Sequence, residues 1–154
     1  MRFVVQRVTE ASVVSDGVLT GQIGLGFMVL VGVGADDTEA IADRMVAKML
    51  GLRIFMDGDG KTNLSSSDVG GSLLLVSQFT LLADCRKGNR PSFIKAGSPE
   101  HAEAIYDYIV KLCRDSGIET ACGVFGADMR VSLVNEGPFT IVLDSDELLK
   151  PRHS

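Results

Sequence analysis

Histidine is scarce in this chain. Only His101 and His153 occur among 154 residues, and neither stands at a recognisable spacing from a serine, threonine or cysteine. The sequence therefore offers no nucleophile with a histidine base. Cysteine is nearly as rare. Cys85, Cys113 and Cys122 are odd in number and lack a C-x-x-C spacing, which argues against paired zinc knuckles and for free thiols in a reducing cytoplasm. No metal and no cofactor is expected. Long apolar runs are missing too. No segment approaches the ~20 residues that span a bilayer, and the stretch from Met1 to Arg7 is too short and too interrupted by charge for a signal peptide. A basic excess is also absent: 15 Lys and Arg stand against 20 Asp and Glu, for a net charge of -5. The surface as a whole is not built to grip nucleic acid, which leaves room only for a local basic patch.

Several nucleotide and metal signatures are incomplete. Gly60-Lys61-Thr62 imitates the end of a P-loop, yet Phe55 stands where that loop needs glycine. Asp57 and Asp59 imitate a calcium loop, yet Lys61 and Thr62 remove the charge and the turn it requires. Gly24-Leu25-Gly26 and Gly32-Val33-Gly34 both lack the third glycine of a dinucleotide fingerprint.

What is present is a strand-rich pattern with two helices. Residues 2–8 and Ser12 to Ser15 read as strands, and Asp16-Gly17 predicts a hairpin turn into Val18 to Ile23. Gly26 to Val33 is a continuous apolar run, as expected of a strand buried on both faces. Asp36, with Glu39 three residues on, predicts the cap of a helix striped by Ile41, Met45, Val46, Met49 and Leu50 and ended by Gly51. Arg53 to Met56 and Ser72 to Ala83 read as strands. Ser98-Pro99-Glu100 opens a second helix with apolar Ile105, Tyr108, Ile109 and Leu112, stopped by Gly117. Three strands follow near 119–124, 129–135 and 139–144. No repeat or linker interrupts this order. The expectation is one α+β domain over residues 1–145, with a largely antiparallel, barrel-like sheet and two main helices, then a charged, loose tail over 146–154.

Two polar segments break this regularity, Ser77-Gln78-Phe79-Thr80 and Asn135-Glu136-Gly137-Pro138-Phe139-Thr140. The second reads locally as an ordinary hairpin turn. A Gly-Pro pair is also a rigid backbone device, because glycine admits unusual angles and proline fixes φ. Arg86, Lys87 and Arg90 form a basic loop that suits phosphate contact or a merely solvated turn. Cys85 beside Arg86 and Lys87 reads as an inert thiol.

These segments, with Met1-Arg2, Val4-Val5-Gln6-Arg7-Val8, Leu52-Arg53-Ile54-Phe55, Asn63-Leu64-Ser65, Pro91-Ser92-Phe93 and Gly123 to Met129, resemble the D-aminoacyl-tRNA deacylase family over nearly the full length. The resemblance implies a homodimeric hydrolase of the ester between a D-amino acid and the tRNA 3' end. It implies that Gly137 and Pro138, joined by a cis bond, reach into the partner's pocket and present carbonyls to the substrate amine. Ser77, Gln78, Phe79 and Thr80 would lie near the scissile ester. Phe125, Gly126, Ala127 and Met129 would hold the terminal adenosine, and Arg86, Lys87 and Arg90 would touch phosphates. Glu136 departs from the Asp usual at that place. An aminoacyl ester is already activated, so positioning and stabilisation of an oxyanion can suffice without a triad. Glycyl-tRNA, with hydrogen at both α positions, would also enter. The competing readings are a non-catalytic RNA-binding protein of the same fold and a general ester hydrolase, the latter lacking a nucleophile–base pair.

Overall fold

The computed structural model describes residues 1–152, with Pro138 by its backbone; His153, weighed above as a base, lies outside the described residues. Strand β1 (Arg2–Ser15) is the spine of the molecule. It is one strand rather than two, because a bulge near Val8 to Glu10 lets it change face without stopping. Asp16 and Gly17, at φ 47° and 83°, form the tight turn that positive φ at both positions permits, and lead into β2 (Val18–Ile23). The N-terminal half of β1 pairs with β3 (Gly26–Gly32), and its far edge pairs throughout with β8 (Met129–Asp144).

The order β2-β1-β3-β6-β7 completes the sheet, with β6 at Ser72–Ser77 and β7 at Thr120–Cys122. The antiparallel expectation holds for every pairing of β1. It gives way at β3–β6 and β6–β7, which are parallel. Parallel neighbours need long crossovers, and the helices α1 (Glu39–Gly51) and α2 (Pro99–Asp115) lie in those two connections. Gly21 brings β2 back toward β7: a side-chain carbon there would stand 2.9 Å from Leu74 and 3.0 Å from the Cys122 carbonyl. The sheet thus curls into a nearly closed α+β barrel.

Two cores result. Phe3, Val5, Phe27, Val29, Leu73 and Leu75 face the helices and meet Met45, Met49, Ile105 and Ile109. Val8, Val13, Met28, Leu74 and Val76 face inward on the other side. Alternate residues of β3 and β6 serve both, which is why their sequences are continuously apolar.

Several local expectations are corrected. Thr38, not Asp36, caps α1, its hydroxyl accepting from the Ile41 N–H at 3.3 Å. Its neighbour Asp37 turns inward instead, pairing with the buried Met1 ammonium at 2.8 Å and accepting from the Gly34 N–H at 2.6 Å. Tyr106 rather than Tyr108 enters the α2 core. The strand expected over Arg53 to Met56 is only Phe55–Met56 (β4), paired with Thr62–Leu64 (β5). Ser145–Leu148, in the stretch read as domain end and tail, forms the short helix α3.

Candidate active site

The long strand expected over Ser72 to Ala83 stops at Ser77, and Phe79–Leu82 winds into a 3-10 turn. Two contacts force that ending. The Gln78 N–H still donates to the Val31 carbonyl at 2.8 Å, so the chain follows β3 to within one residue of its end. Beyond it, Gly32 leaves a gap that the turn fills: a side-chain carbon at Gly32 would lie 2.6 Å from Leu82 and 2.9 Å from Leu81. Arg2 then secures the turn, donating to the Leu81 carbonyl at 2.8 Å and to Asp144 at 2.7 Å.

This turn forms one wall of a cleft of about 580 Å³. Ser77, Gln78 and Phe79 face Phe125, Gly126, Ala127 and Met129 across it, with Phe93 and the start of α2 between. Segments nearly fifty residues apart in sequence therefore meet, and seven of the residues singled out above share one cavity. Gly126, at φ 77°, turns the second wall. Gly123 lets Met129 lie against the backbone, since a side-chain carbon there would stand 2.5 Å from the Met129 sulfur. Behind them the Phe125 ring lies 6.1 Å from that of Tyr106. The Tyr106 hydroxyl donates to the Leu75 carbonyl at 2.8 Å, and burial above all pushes its ionisation far above the usual range, so it remains a neutral donor. Phe93 meets Phe79 edge to face at 5.1 Å.

Thr80 does not line this cavity. Its exposed hydroxyl accepts from the Gln78 side-chain amide, and among the described residues no histidine or carboxylate bonds to it. Cys113 is no nucleophile either, because burial pushes its thiol up to about 12. His101 is half-buried with Nε2 2.8 Å from the Asp37 carbonyl, an imidazole N–H spent on structure. The described residues contain no group of three or more His, Cys, Asp or Glu placed to hold a metal ion.

Gly137 is not among the residues lining the cleft either. The segment holding it is not a hairpin turn. Gln6 pairs with Thr140 and Val8 with Asn135, so β8 advances five residues while β1 advances two. Residues 136–139 are thus extruded from a strand that continues on both sides, which repeated pairing with β1 stabilises better than a reversal. Asn135 ties the base of the bulge, its amide donating to the carbonyls of Arg7 at 3.1 Å and Phe139 at 3.0 Å. Arg7, which sequence reasoning matched but assigned no role, is buried beneath it. Its guanidinium donates to the Ile54 carbonyl at 2.6 Å and lies 3.8 Å from Glu136. No local signal marks Arg7 in the sequence, because only the pairing of β1 with β8 sets it opposite the Gly-Pro segment.

The basic loop stands beside the cleft. Asp84 and Ser92 exchange backbone hydrogen bonds of 2.7 and 2.9 Å, closing residues 84–92 into a stitched loop. The Arg86 guanidinium grips Asp84 through Nε and Nη2, and that hydrogen bond holds the Asp84 carboxyl well below the usual range. Lys87 and Arg90 line a second cleft of about 470 Å³ together with the Asp84–Arg86 pair, Ser92 and Ile94.

Fold and cleft together define a small α+β barrel protein with a cleft between its 3-10 turn and the Phe125 to Met129 segment. The model of the D-Tyr-tRNA(Tyr) deacylase family matches residues 4–144. A D-aminoacyl-tRNA deacylase of Dehalococcoides mccartyi is 51% identical over 152 residues, 99% of each chain. One from Escherichia coli is 55% identical over 139 residues, covering 90% of this chain and 96% of that one. Among solved structures, a c-Myc DNA Unwinding Element Binding Protein superposes with a TM-score of 0.87 at 41% identity, over 94% of this chain and 98% of that one. A probable eukaryotic D-amino acid tRNA deacylase shares the fold with a TM-score of 0.81 at 19% identity, over 92% and 97% of the two chains. The chain belongs to the D-Tyr-tRNA(Tyr) deacylase family.

Proposed function

We propose that this protein hydrolyses the ester linking a D-amino acid to the 3' end of tRNA. The observation that carries this reading is the convergence of Ser77, Gln78 and Phe79 with Phe125 to Met129 in one cleft. The apolar wall of Phe125, Ala127 and Met129 suits the face of a terminal nucleobase. The opposite wall suits the ester, because a 3-10 turn leaves its first N–H groups without carbonyl partners of their own, and Phe79, the first of these residues, lines the cleft. Such donors can hold the oxyanion that develops as an acyl carbon is attacked. Thr80, without a base, positions rather than attacks. An RNA 2'-hydroxyl or a water supplies the oxygen, and the activated ester asks for little more.

The active unit in this reading is a homodimer. Gly137 lies off its own chain's cleft, on a bulge that would complete a partner's. Two features favour a second copy as the occupant of this face. Among the described residues β8 pairs only with β1, so a 16-residue strand keeps one open edge. Val142, Val4 and Leu30 also form a cross-strand row on the open side of the sheet, with Val142 62% exposed. The carbonyls of Gly137 and Pro138 would then check the α-carbon without reading the side chain. That predicts action on many D-amino acids and on glycyl-tRNA, with L-forms shut out by clash.

Single-turnover deacylation of D-tyrosyl-, glycyl- and L-tyrosyl-tRNA tests this. Release from the first two and not the third is expected. Tight tRNA binding without release would instead establish the non-catalytic RNA-binding reading, and activity lost on adding a chelator and regained with zinc would overturn the metal-free one.

A further inference from the structure

Resting on that reading, we infer that the tRNA 3' strand leaves the adenosine cleft over the Phe93–Ile94 ridge and lays the sugar-phosphate preceding the terminal nucleoside against Lys87 and Arg90, with Arg86 taking no phosphate. The two clefts are separated by one side chain. Phe93 lines the first, and its chain neighbours Ser92 and Ile94 line the second. The chain turns at Phe93, whose carbonyl accepts from the Ala96 N–H at 3.1 Å, so this one corner divides the two cavities and a nucleic-acid strand crossing it passes directly from one to the other.

Charge favours this exit. Residues 84–95 hold four basic side chains and one acidic one in a chain of net charge -5. The single acid is already taken, since Asp84 is held by Arg86. That pair neutralises itself and, with the Asp84–Ser92 backbone bonds, braces the loop. Lys87 and Arg90 carry no ion pair among the described residues, and both are exposed. Ile94, 89% exposed, is the most solvent-bared large apolar side chain described. On the rim between a nucleobase cleft and a phosphate cleft it forms a ledge for the ribose or base of the penultimate nucleotide.

A second basic groove provides the internal control. Arg44, Lys48, Lys150 and Arg152 line it beside α1 and α3, away from the candidate active site. The experiment compares K87Q/R90Q, R86Q, I94S and R44Q/K48Q with the parent protein. It measures binding of uncharged CCA-ended tRNA over a salt series, and single-turnover cleavage of D-tyrosyl-tRNA and of D-tyrosyl-adenosine. K87Q/R90Q should weaken tRNA binding about tenfold at ~0.1 M salt and reduce the log–log salt slope by about 1.4, the value for two single-strand phosphates. It should cleave D-tyrosyl-adenosine at the parent rate. I94S should weaken tRNA binding several-fold with the slope unchanged, and R86Q and R44Q/K48Q should keep the parent slope. A K87Q/R90Q slope equal to the parent's, or a loss shared equally by R44Q/K48Q, overturns the assignment. A parent protein that cleaves neither ester refutes the deacylase reading instead, while the tRNA-binding series still decides the path of the strand.

Discussion

The guanidinium of Arg7 lies 4.6 Å above the ring of Phe139. One buried cation thereby touches both ends of the extruded bulge, Phe139 through its ring and Glu136 through charge at 3.8 Å. The Glu136 carboxylate is the half-exposed partner. Arg7 Nε, buried, finds no hydrogen-bond acceptor in the chain, so Glu136 answers it by charge alone.

Arg7→Ala should therefore cost about 2–3 kcal/mol of stability, from the lost cation–ring contact and a buried Ile54 carbonyl left without its donor. Arg7→Lys restores charge but not the planar fork, and should recover part of the stability and little of the deacylation. Urea unfolding and single-turnover cleavage, measured on both variants, separate the two effects. Activity that simply tracked stability would count against a positioning role for Arg7.

The elements legible in the sequence were those with local causes. The Asp16-Gly17 turn, the Ser98-Pro99 helix start and the Gly117 stop each follow from the backbone chemistry of one or two residues. The cleft's two walls were legible as segments but not as neighbours, since only the crossovers through α1 and α2 bring them together. The failures share a physical origin in tertiary contact. Ser72 to Ala83 looks like one strand because nothing local shows that Gly32 opens a space for Leu81 and Leu82. Thr38 displaces Asp36 as a cap because Asp37 is drawn to the Met1 ammonium. The Gly-Pro segment resembles a hairpin turn until β1 is seen to pair on both sides of it.

Gly123→Ala should damage the nucleoside wall without touching the ester wall. The new methyl would meet the Met129 sulfur at 2.5 Å and Val13 at 3.5 Å, and the flexible methionine yields first. Half-saturation by D-aminoacyl-tRNA should rise several-fold, while the rate at saturation stays within about twofold. Titration with adenosine should show the same weakening, and an unchanged adenosine affinity would remove Met129 from the wall.

Acid should loosen the 3-10 turn through Asp144. Burial works against its carboxylate, yet the Arg2 hydrogen bond and the Asp146 N–H outweigh this and hold its pKa below the ordinary 3.8. A depressed folded-state value gives stability that is present above 3.8 and is lost as pH falls through the folded value. Arg2 is 43% exposed, so screening limits the pair to about 0.5–1 kcal/mol. Asp144→Asn should lower Tm by about 1–3 °C at pH 7, with a smaller difference from the parent at a pH below 3.8. A gap of the same size at both pH values would show that the ion pair is not its source.

Gly137→Ala should leave the fold intact and abolish most of the deacylation. Gly137 does not occupy the left-handed region, and a side-chain carbon there meets only the Asn135 side chain, at an ordinary 3.9 Å. Within one chain the methyl therefore adds neither strain nor clash, and Tm should move by less than about 1 °C. The space it does fill lies on the bulge, off the lining of its own cleft, where the proposed partner's substrate would sit. Thr80→Ala makes the contrast: it removes a hydroxyl already engaged by Gln78 and should retain measurable cleavage of D-tyrosyl-tRNA. Mixing Gly137→Ala with a second variant disabled in the cleft, such as Gly126→Val, tests the shared site directly. Each heterodimer would carry one cleft with both defects and one with neither, so activity should return on subunit exchange. No return of activity in verified heterodimers would mean that bulge and cleft serve the same chain.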